Sequence, residues 1–141
     1  MVAIHFAYSE SMNHEELSLH ADAWVNYYRA PGNSPEREAN AWAIDLFDLI
    51  YDEPETLWLL IQEIHHRDQS LAVRQMLSAG AIEDLLSQHG ENFIDRVEAE
   101  ARKDPSFAKV LGGVWQNTMS DAVWKRLQSV WDRRGWDGIP E

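Results

Sequence analysis

Glu63 and His66 form the pair of residues in this chain that comes nearest to a metal site. A carboxylate and an imidazole three residues apart share one side of a helix, which is the spacing used in di-iron helical bundles. Such bundles need a second Glu-x-x-His motif, and zinc needs a third ligand; the sequence shows neither. We therefore predict no cofactor and no bound metal. His66 is then explained by the last turn of its helix, where positive charge is favoured.

Two other pairs of titratable residues have spacings that invite chemistry, one as metal ligands and the other as a general acid and base. Glu16 and His20 lie one helical turn apart, where a surface interaction explains them without a ligand. Glu83 and Asp84 are neighbours, but adjacent helical side chains point about 100° apart, and both acids suit the start of a helix. No nucleophile, phosphate-binding or zinc-protease motif appears in the sequence. We predict no catalytic residue.

A row of acids on the second predicted helix indicates a different function. The side of this helix opposite its apolar stripe carries carboxylates next to an aliphatic and an aromatic side chain. Charge of this kind speeds the encounter with a basic protein, and the apolar groups supply desolvated contact. An ordinary solvated helix face is the alternative. The predicted partner-binding residues are Glu38, Ile44, Asp45, Asp48, Tyr51 and Asp52.

The distribution of charge supports a basic protein partner. The net charge is −12, and residues 1–66 hold twelve acids against two bases, Arg29 and Arg37. Residues 67–141 are nearly balanced, with twelve acids and ten bases. Phosphate backbones and anionic lipids would be repelled by the first half, so we predict no nucleic-acid and no membrane partner. Solubility alone would also explain an acidic chain.

The composition is that of a globular protein of one domain. The 141 residues are 45% hydrophobic, contain no cysteine and include no stretch long enough to span a bilayer. The first residues lack the pattern of a signal peptide, so a cytoplasmic location is expected. We predict an N-terminal extension at 1–12, one helical domain at 13–135 and a tail at 136–141.

Helix signals recur along the chain and predict an all-α fold. Glycines are expected to end two short helices at Gly80 and Gly90, and the similar helix starts near Pro54 and Pro105 favour HEAT-like helical hairpins. An irregular bundle is the alternative to this compact stack of about eight helices. The predicted helices span about 13–30, 35–51, 52–67, 71–79, 81–89, 93–101, 105–111 and 120–134. The predicted core includes Trp24, Trp42, Phe107, Trp115 and Trp131.

Residues 77–115 carry a recognisable pattern. It consists of Ala79-Gly80, the acidic and apolar run at 83–86, His89-Gly90, Asp104-Pro105-x-Phe107 and Val114-Trp115. This pattern resembles a family of small bacterial all-α domains of unknown function. The resemblance implies a helical architecture and supplies no activity.

These observations favour a non-enzymatic inhibitor that binds another protein. The most concrete version is an acidic immunity protein or antitoxin that neutralises a basic toxin such as a nuclease. A phage-encoded inhibitor that mimics nucleic acid needs the same surface. The remaining alternatives are a metal-dependent enzyme that uses Glu63 and His66, and a helical adaptor or scaffold.

Overall fold

A computed structural model describes residues 12–136, and all the regular secondary structure in this range is helical. No strand occurs in this range, which confirms the all-α prediction. The α-helices are α1 His14–Arg29, α2 Pro35–Asn40, α3 Phe47–Asp52, α4 Pro54–Arg67, α5 Leu71–Met76, α6 Glu83–Lys103, α7 Pro105–Leu111 and α8 Asp121–Val130. A 3-10 helix, Ala41–Ala43, follows α2, and a π-helical segment, Leu77–Ile82, joins α5 to α6.

The expected count of about eight helices is slightly off, because the eight α-helices are not all separate: Leu71–Met76, the π-helical segment and Glu83–Lys103 follow one another without an intervening loop. The predicted extension at 1–12 and the tail at 136–141 lie almost wholly outside the described residues. The described chain divides into two compact units, the first ending at Val73 and the second starting at Arg74.

Side chains cap several helix starts as the sequence indicates. The Asn13 carboxamide accepts from the Glu16 N–H at 2.8 Å, and the Asn13 N–H donates to the Glu16 carboxylate at 3.2 Å. This reciprocal capping box confirms the predicted start of α1. The third predicted helix, expected from residue 52, starts later, and Asp52, whose side chain could cap a helix start, does not cap it. Asp52 is the last residue of α3, and α4 begins after Glu53 without a side-chain cap.

The first unit is built around α1 and α4, which pack against each other. α2 and the 3-10 helix contact α1, and α3 contacts α4. The apolar stripe of α4 is fully buried, as its helical spacing predicts, and Trp24 from α1 packs in the same core. The most buried side chains here are Trp24, Leu57, Leu60, Ile61 and Ile64.

The second unit is organised by α6, which packs against α7, α8 and the π-helical segment. Phe93, Ile94 and Phe107 are buried in its core, which confirms the structural role predicted for Phe107. This core also contains the buried Glu98 carboxylate. The Arg126 guanidinium on α8 donates to Glu98 at 3.0 Å and lowers the pKa of Glu98. A buried acid of this kind needs such a partner.

Of the two glycines that were expected to end helices, Gly80 does not, whereas Gly90 directly follows a kink in α6 that agrees with the helix end expected near residue 89. Gly80 lies inside the π-helical segment, and Gly90 lies inside α6, one residue after the kink at His89 (φ −136°, ψ 28°). A Cβ atom on Gly90 would approach the methyl groups of Val123 to 3.1 Å. Gly90 therefore allows α6 and α8 to pack closely.

Several apolar residues also lie elsewhere than predicted. Trp42 is 48% exposed, Trp115 is 47% exposed and Trp131 is half-buried. Trp115 follows the break at 112–113, and the buried positions of its loop belong to Val114 and Met119. α8 ends at Val130 rather than near residue 134.

Trp136, expected in an irregular tail, is buried in the second unit. Its indole N–H donates to the Lys109 carbonyl at 2.6 Å. Its ring occupies the space beside Gly112 and Gly113, where a Cβ atom would come within 2.8 Å and 2.5 Å of it, respectively. The indole therefore packs where the two glycines have no side chains. The sequence alone did not indicate this contact.

Candidate protein-binding face

The predicted helix from Pro35 to Tyr51 is interrupted, and two side chains explain the interruption. In a continuous helix the Phe47 N–H would donate to the Ala43 carbonyl. Instead, Nε2 of the buried His20 lies 2.9 Å from the Ala43 oxygen, and the Phe47 N–H donates to the Asp45 carboxylate at 3.1 Å. Because a carbonyl can only accept, His20 must donate through Nε2. Both backbone groups are satisfied without a helix, and α3 begins as a separate helix at Phe47.

The new helix places leucines and aromatic rings on different sides. Leu46 and Leu49 are buried where α3 meets α4. Phe47 is 63% exposed and Tyr51 is 50% exposed, and their ring centroids lie 4.7 Å apart. Residues four apart on a helix share one side, so the two rings form a single exposed apolar pair.

Acids accompany this pair along α3. Asp48 and Asp52 are exposed and are also four residues apart, and the exposed Asp45 lies at the start of the helix. We name the set Asp45, Phe47, Asp48, Tyr51 and Asp52 the acidic–aromatic face. Four of these five residues were predicted from the sequence. Phe47 was missed, although its spacing from Tyr51 was a usable signal.

Two of the predicted partner-binding residues do not belong to this face. Glu38 is exposed, but it lies on α2, which the break separates from α3, so the single row that included it is wrong. Ile44 is half-buried in the connecting turn and does not flank the acids as an exposed side chain. The candidate surface is therefore a short helix and its first turn rather than one long helix side.

Trp42 adds a further exposed ring to the segment that leads into α3. It lies on the 3-10 helix next to the carbonyl that His20 holds, and the Trp42 and His20 ring centroids are 5.0 Å apart. Burial lowers the pKa of His20, while the hydrogen bond to Ala43 partly opposes this effect. The buried imidazole thus connects α1 with the turn that presents Trp42.

The arginines of the first unit contact groups outside the acidic–aromatic face. Arg67 donates to Asp22 and to Glu63, both at 2.7 Å, and also to the Ser18 hydroxyl. The Glu63 carboxylate, one of the two alternative metal ligands, is thus held by an ion pair. Its supposed partner His66 is exposed in the last turn of α4. Whether the chain binds a metal stays a prediction.

The other two arginines of this unit are held in similar ways. Arg29 donates to Asp68 at 2.6 Å; burial raises the pKa of Asp68, but hydrogen bonds from Ser70 and Arg29 outweigh burial and lower it. The guanidinium of Arg37 lies 4.7 Å from the centroid of the Tyr27 ring and donates to the Tyr27 carbonyl at 3.2 Å. These contacts hold the positive charges of Arg29 and Arg37 at positions of the first unit outside the acidic–aromatic face.

The residues of the other two titratable pairs have separate structural roles. Glu16 completes the capping box of α1, while His20 is buried against the 3-10 helix. The Glu83 carboxylate accepts the Trp115 N–H at 3.3 Å and the Asn117 side-chain amide at 3.0 Å, which fixes the loop after α7. Burial raises the pKa of its neighbour Asp84.

Comparisons with known proteins assign the chain to a family and give no activity. Within residues 12–136, no helix combines the length and the apolar character needed to cross a bilayer. No curated protein and no solved structure matches the chain significantly. A family of unknown function, DUF6869, matches residues 30–135, which is well over half of the chain and confirms the resemblance seen at 77–115. The chain therefore belongs to this family of unknown function.

Proposed function

We propose that this protein is a non-enzymatic inhibitor that binds a basic protein through the acidic–aromatic face. The observation that carries the proposal is the exposed Phe47 and Tyr51 pair, with Asp48 and Asp52 on the same short helix and Asp45 just before it. The most concrete version is a cytoplasmic immunity protein or antitoxin that neutralises a basic toxin such as a nuclease.

The two kinds of side chain on this face would contribute differently to binding. Exposed rings lose water when a partner covers them, and aromatic residues of this kind supply much of the binding energy in protein interfaces. Carboxylates at the edge act mainly on the encounter rate and on the choice of partner. A face with both kinds suits a partner that presents positive charge around an apolar centre.

The arrangement of the first unit supports a binding function over the metal-enzyme alternative. Glu63 holds Arg67, which also contacts Asp22, so that carboxylate contributes to the packing of α4 on α1. Phe47 and Tyr51, by contrast, leave half or more of their surface exposed. An exposed aromatic pair costs solubility and has no role in the core, which favours a role in contact with a partner.

Co-expression with the products of neighbouring genes tests the proposal. If one product is a basic toxin, the wild-type chain should restore growth, and Phe47→Ala with Tyr51→Ala should abolish the protection. A matched control is the exposed Leu59→Ala on α4, which removes an apolar side chain from another surface and should protect fully. Loss of protection only in the control, or full protection by the double variant, would contradict the proposal.

A further inference from the structure

We propose that the acidic–aromatic face takes arginine side chains, in preference to lysines, from a basic segment of its protein partner. This inference rests on the proposed function and names the partner chemistry that the same face would select.

The rings of Phe47 and Tyr51 offer surfaces of a suitable kind. Their centroids are 4.7 Å apart and their planes are inclined by 47°, so the rings form an open, angled pair rather than a closed stack. A guanidinium is planar and weakly hydrated, and it can lie flat on such a ring while its N–H groups remain directed outward. A lysine ammonium is compact and strongly hydrated, and it loses more by leaving water.

The carboxylates complete the recognition of a guanidinium. Asp48 and Asp52 are exposed one helical turn apart, each in the position after one of the two rings. A carboxylate accepts two parallel N–H groups from an arginine, a geometry that lysine cannot reproduce. Neighbouring helical side chains point about 100° apart, so the pair of acids lies beside the pair of rings, and two arginines on one partner segment match the two pairs.

Three arginines of this chain already place their guanidinium groups over aromatic rings. Arg37 lies over Tyr27 at 4.7 Å, Arg96 over Phe93 at 4.1 Å and Arg133 over Trp131 at 4.9 Å from the ring centroid. Each of these pairs is internal to one unit. The acidic–aromatic face presents comparable rings at an exposed surface.

Charge complementarity selects this occupant among the possible ones. Residues 1–66 carry a net charge of −10, which repels nucleic acids and anionic lipids. A second copy of this chain would bring the same negative charge to the interface. A basic segment of another protein gains from both the field and the rings.

Peptide binding to the full-length protein tests the inference. The probes are a short peptide of alternating arginine and glycine and its twin with lysine at every arginine position. The arginine peptide should bind roughly three- to tenfold more tightly, because two exposed cation–π contacts differ between the probes. Backbone amide resonances of residues 45–52 should shift on its addition.

Variants separate the contribution of the rings from that of charge. Phe47→Leu with Tyr51→Leu keeps the apolar character and should bring the two affinities within about twofold of each other. Asp48→Asn with Asp52→Asn should weaken both peptides. Glu15→Gln with Glu91→Gln makes the same change of net charge at exposed positions elsewhere and should weaken both much less. Melting temperatures verify that every variant is folded.

Several results would overturn the inference. Equal affinities for the two peptides would show that charge alone is recognised, and shifts outside residues 45–52 would place the site elsewhere. Self-association through α3 would assign the face to a second copy. The proposed function fails separately, namely if the Phe47 and Tyr51 alanine variant still neutralises the toxin, and this result is independent of the peptide comparison.

Discussion

The imidazole Nε2 of His20 lies 2.9 Å from the carbonyl oxygen of Ala43, twenty-three residues further along the chain. This hydrogen bond takes the carbonyl that Phe47 would use in a continuous helix, while Asp45 takes the Phe47 N–H. A buried side chain of α1 thereby sets the point at which α3 begins. The direction of the acidic–aromatic face depends on that point.

Replacing His20 should destabilise the first unit. His20→Ala leaves the Ala43 carbonyl without its buried donor, and we expect the free energy of unfolding to fall by about 1–3 kcal/mol, with an added cost for the lost ring. His20→Gln keeps an N–H donor of similar reach and should cost clearly less. Urea unfolding of the three proteins measures this. Equal losses in both variants would show that the hydrogen bond contributes little.

The stability of the wild type should also depend on pH through His20. Burial lowers the pKa of His20 in the folded state below its ordinary value of 6.5, so the unfolded state takes up the proton more readily. The stabilising contribution of the neutral ring is therefore full above about pH 6.5 and is lost as the pH falls towards the folded-state pKa. The difference in unfolding free energy between wild type and His20→Gln should shrink as the solution is acidified. A difference that stays constant from neutral to mildly acidic pH would contradict this assignment.

Replacement of Gly80 and of Gly112 by alanine should change the stability of the protein in opposite directions. A Cβ atom on Gly80 meets nothing within 4 Å, and alanine there should stabilise the protein by roughly 0.5–1 kcal/mol, because it restricts the unfolded chain. On Gly112 the added atom would collide with the Asp132 carbonyl oxygen, so alanine should displace the backbone and destabilise the protein. Thermal unfolding of the two variants measures the sign of each change in stability. A stabilised Gly112→Ala variant would be inconsistent with the close approach of residues 112 and 132.

Trp115 and Phe107 should differ strongly in their contribution to stability. Phe107 is fully buried, and its replacement by alanine should cost about 3–5 kcal/mol. Trp115 is 47% exposed, so Trp115→Ala should cost about 1 kcal/mol or less. Chemical denaturation of the two variants makes the comparison. A cost for Trp115→Ala as large as that for Phe107→Ala would restore the core position predicted from the sequence.

The features that follow from local chemistry could be predicted from the sequence. The capping box at Asn13 and Glu16 and the buried stripes of α1 and α4 depend on spacing within one helix, and the structure has them as expected. The features that depend on distant residues could not. Nothing near Ala43 in the sequence indicates that His20 would take its carbonyl, and the predicted second helix therefore ran too far.

Glycine was misinterpreted for a similar physical reason. Its enrichment after helices makes Gly80 and Gly90 good candidates for helix ends. At Gly90, however, the missing Cβ atom also allows close packing against Val123 on another helix. At the candidate site, the acids and Tyr51 were predicted from the spacing of residues on a helix that was assumed to be longer. The break between α2 and α3 removes Glu38 from the surface and places Phe47 beside Tyr51 as the second exposed ring.

The rate of association with the neutralised toxin tests the central claim most directly. The variant Asp45→Asn, Asp48→Asn and Asp52→Asn removes three charges from the face, while the carboxamide introduced at position 45 can still accept the Phe47 N–H. Glu15→Gln, Glu91→Gln and Asp121→Asn is the control with the same net charge. Stopped-flow binding is measured at about 50 and about 300 mM salt. We predict that the first variant associates more slowly than wild type and loses much of the salt dependence, whereas the control keeps both. Association of the first variant at the wild-type rate, with an unchanged salt response, would contradict the claim that this face binds the partner.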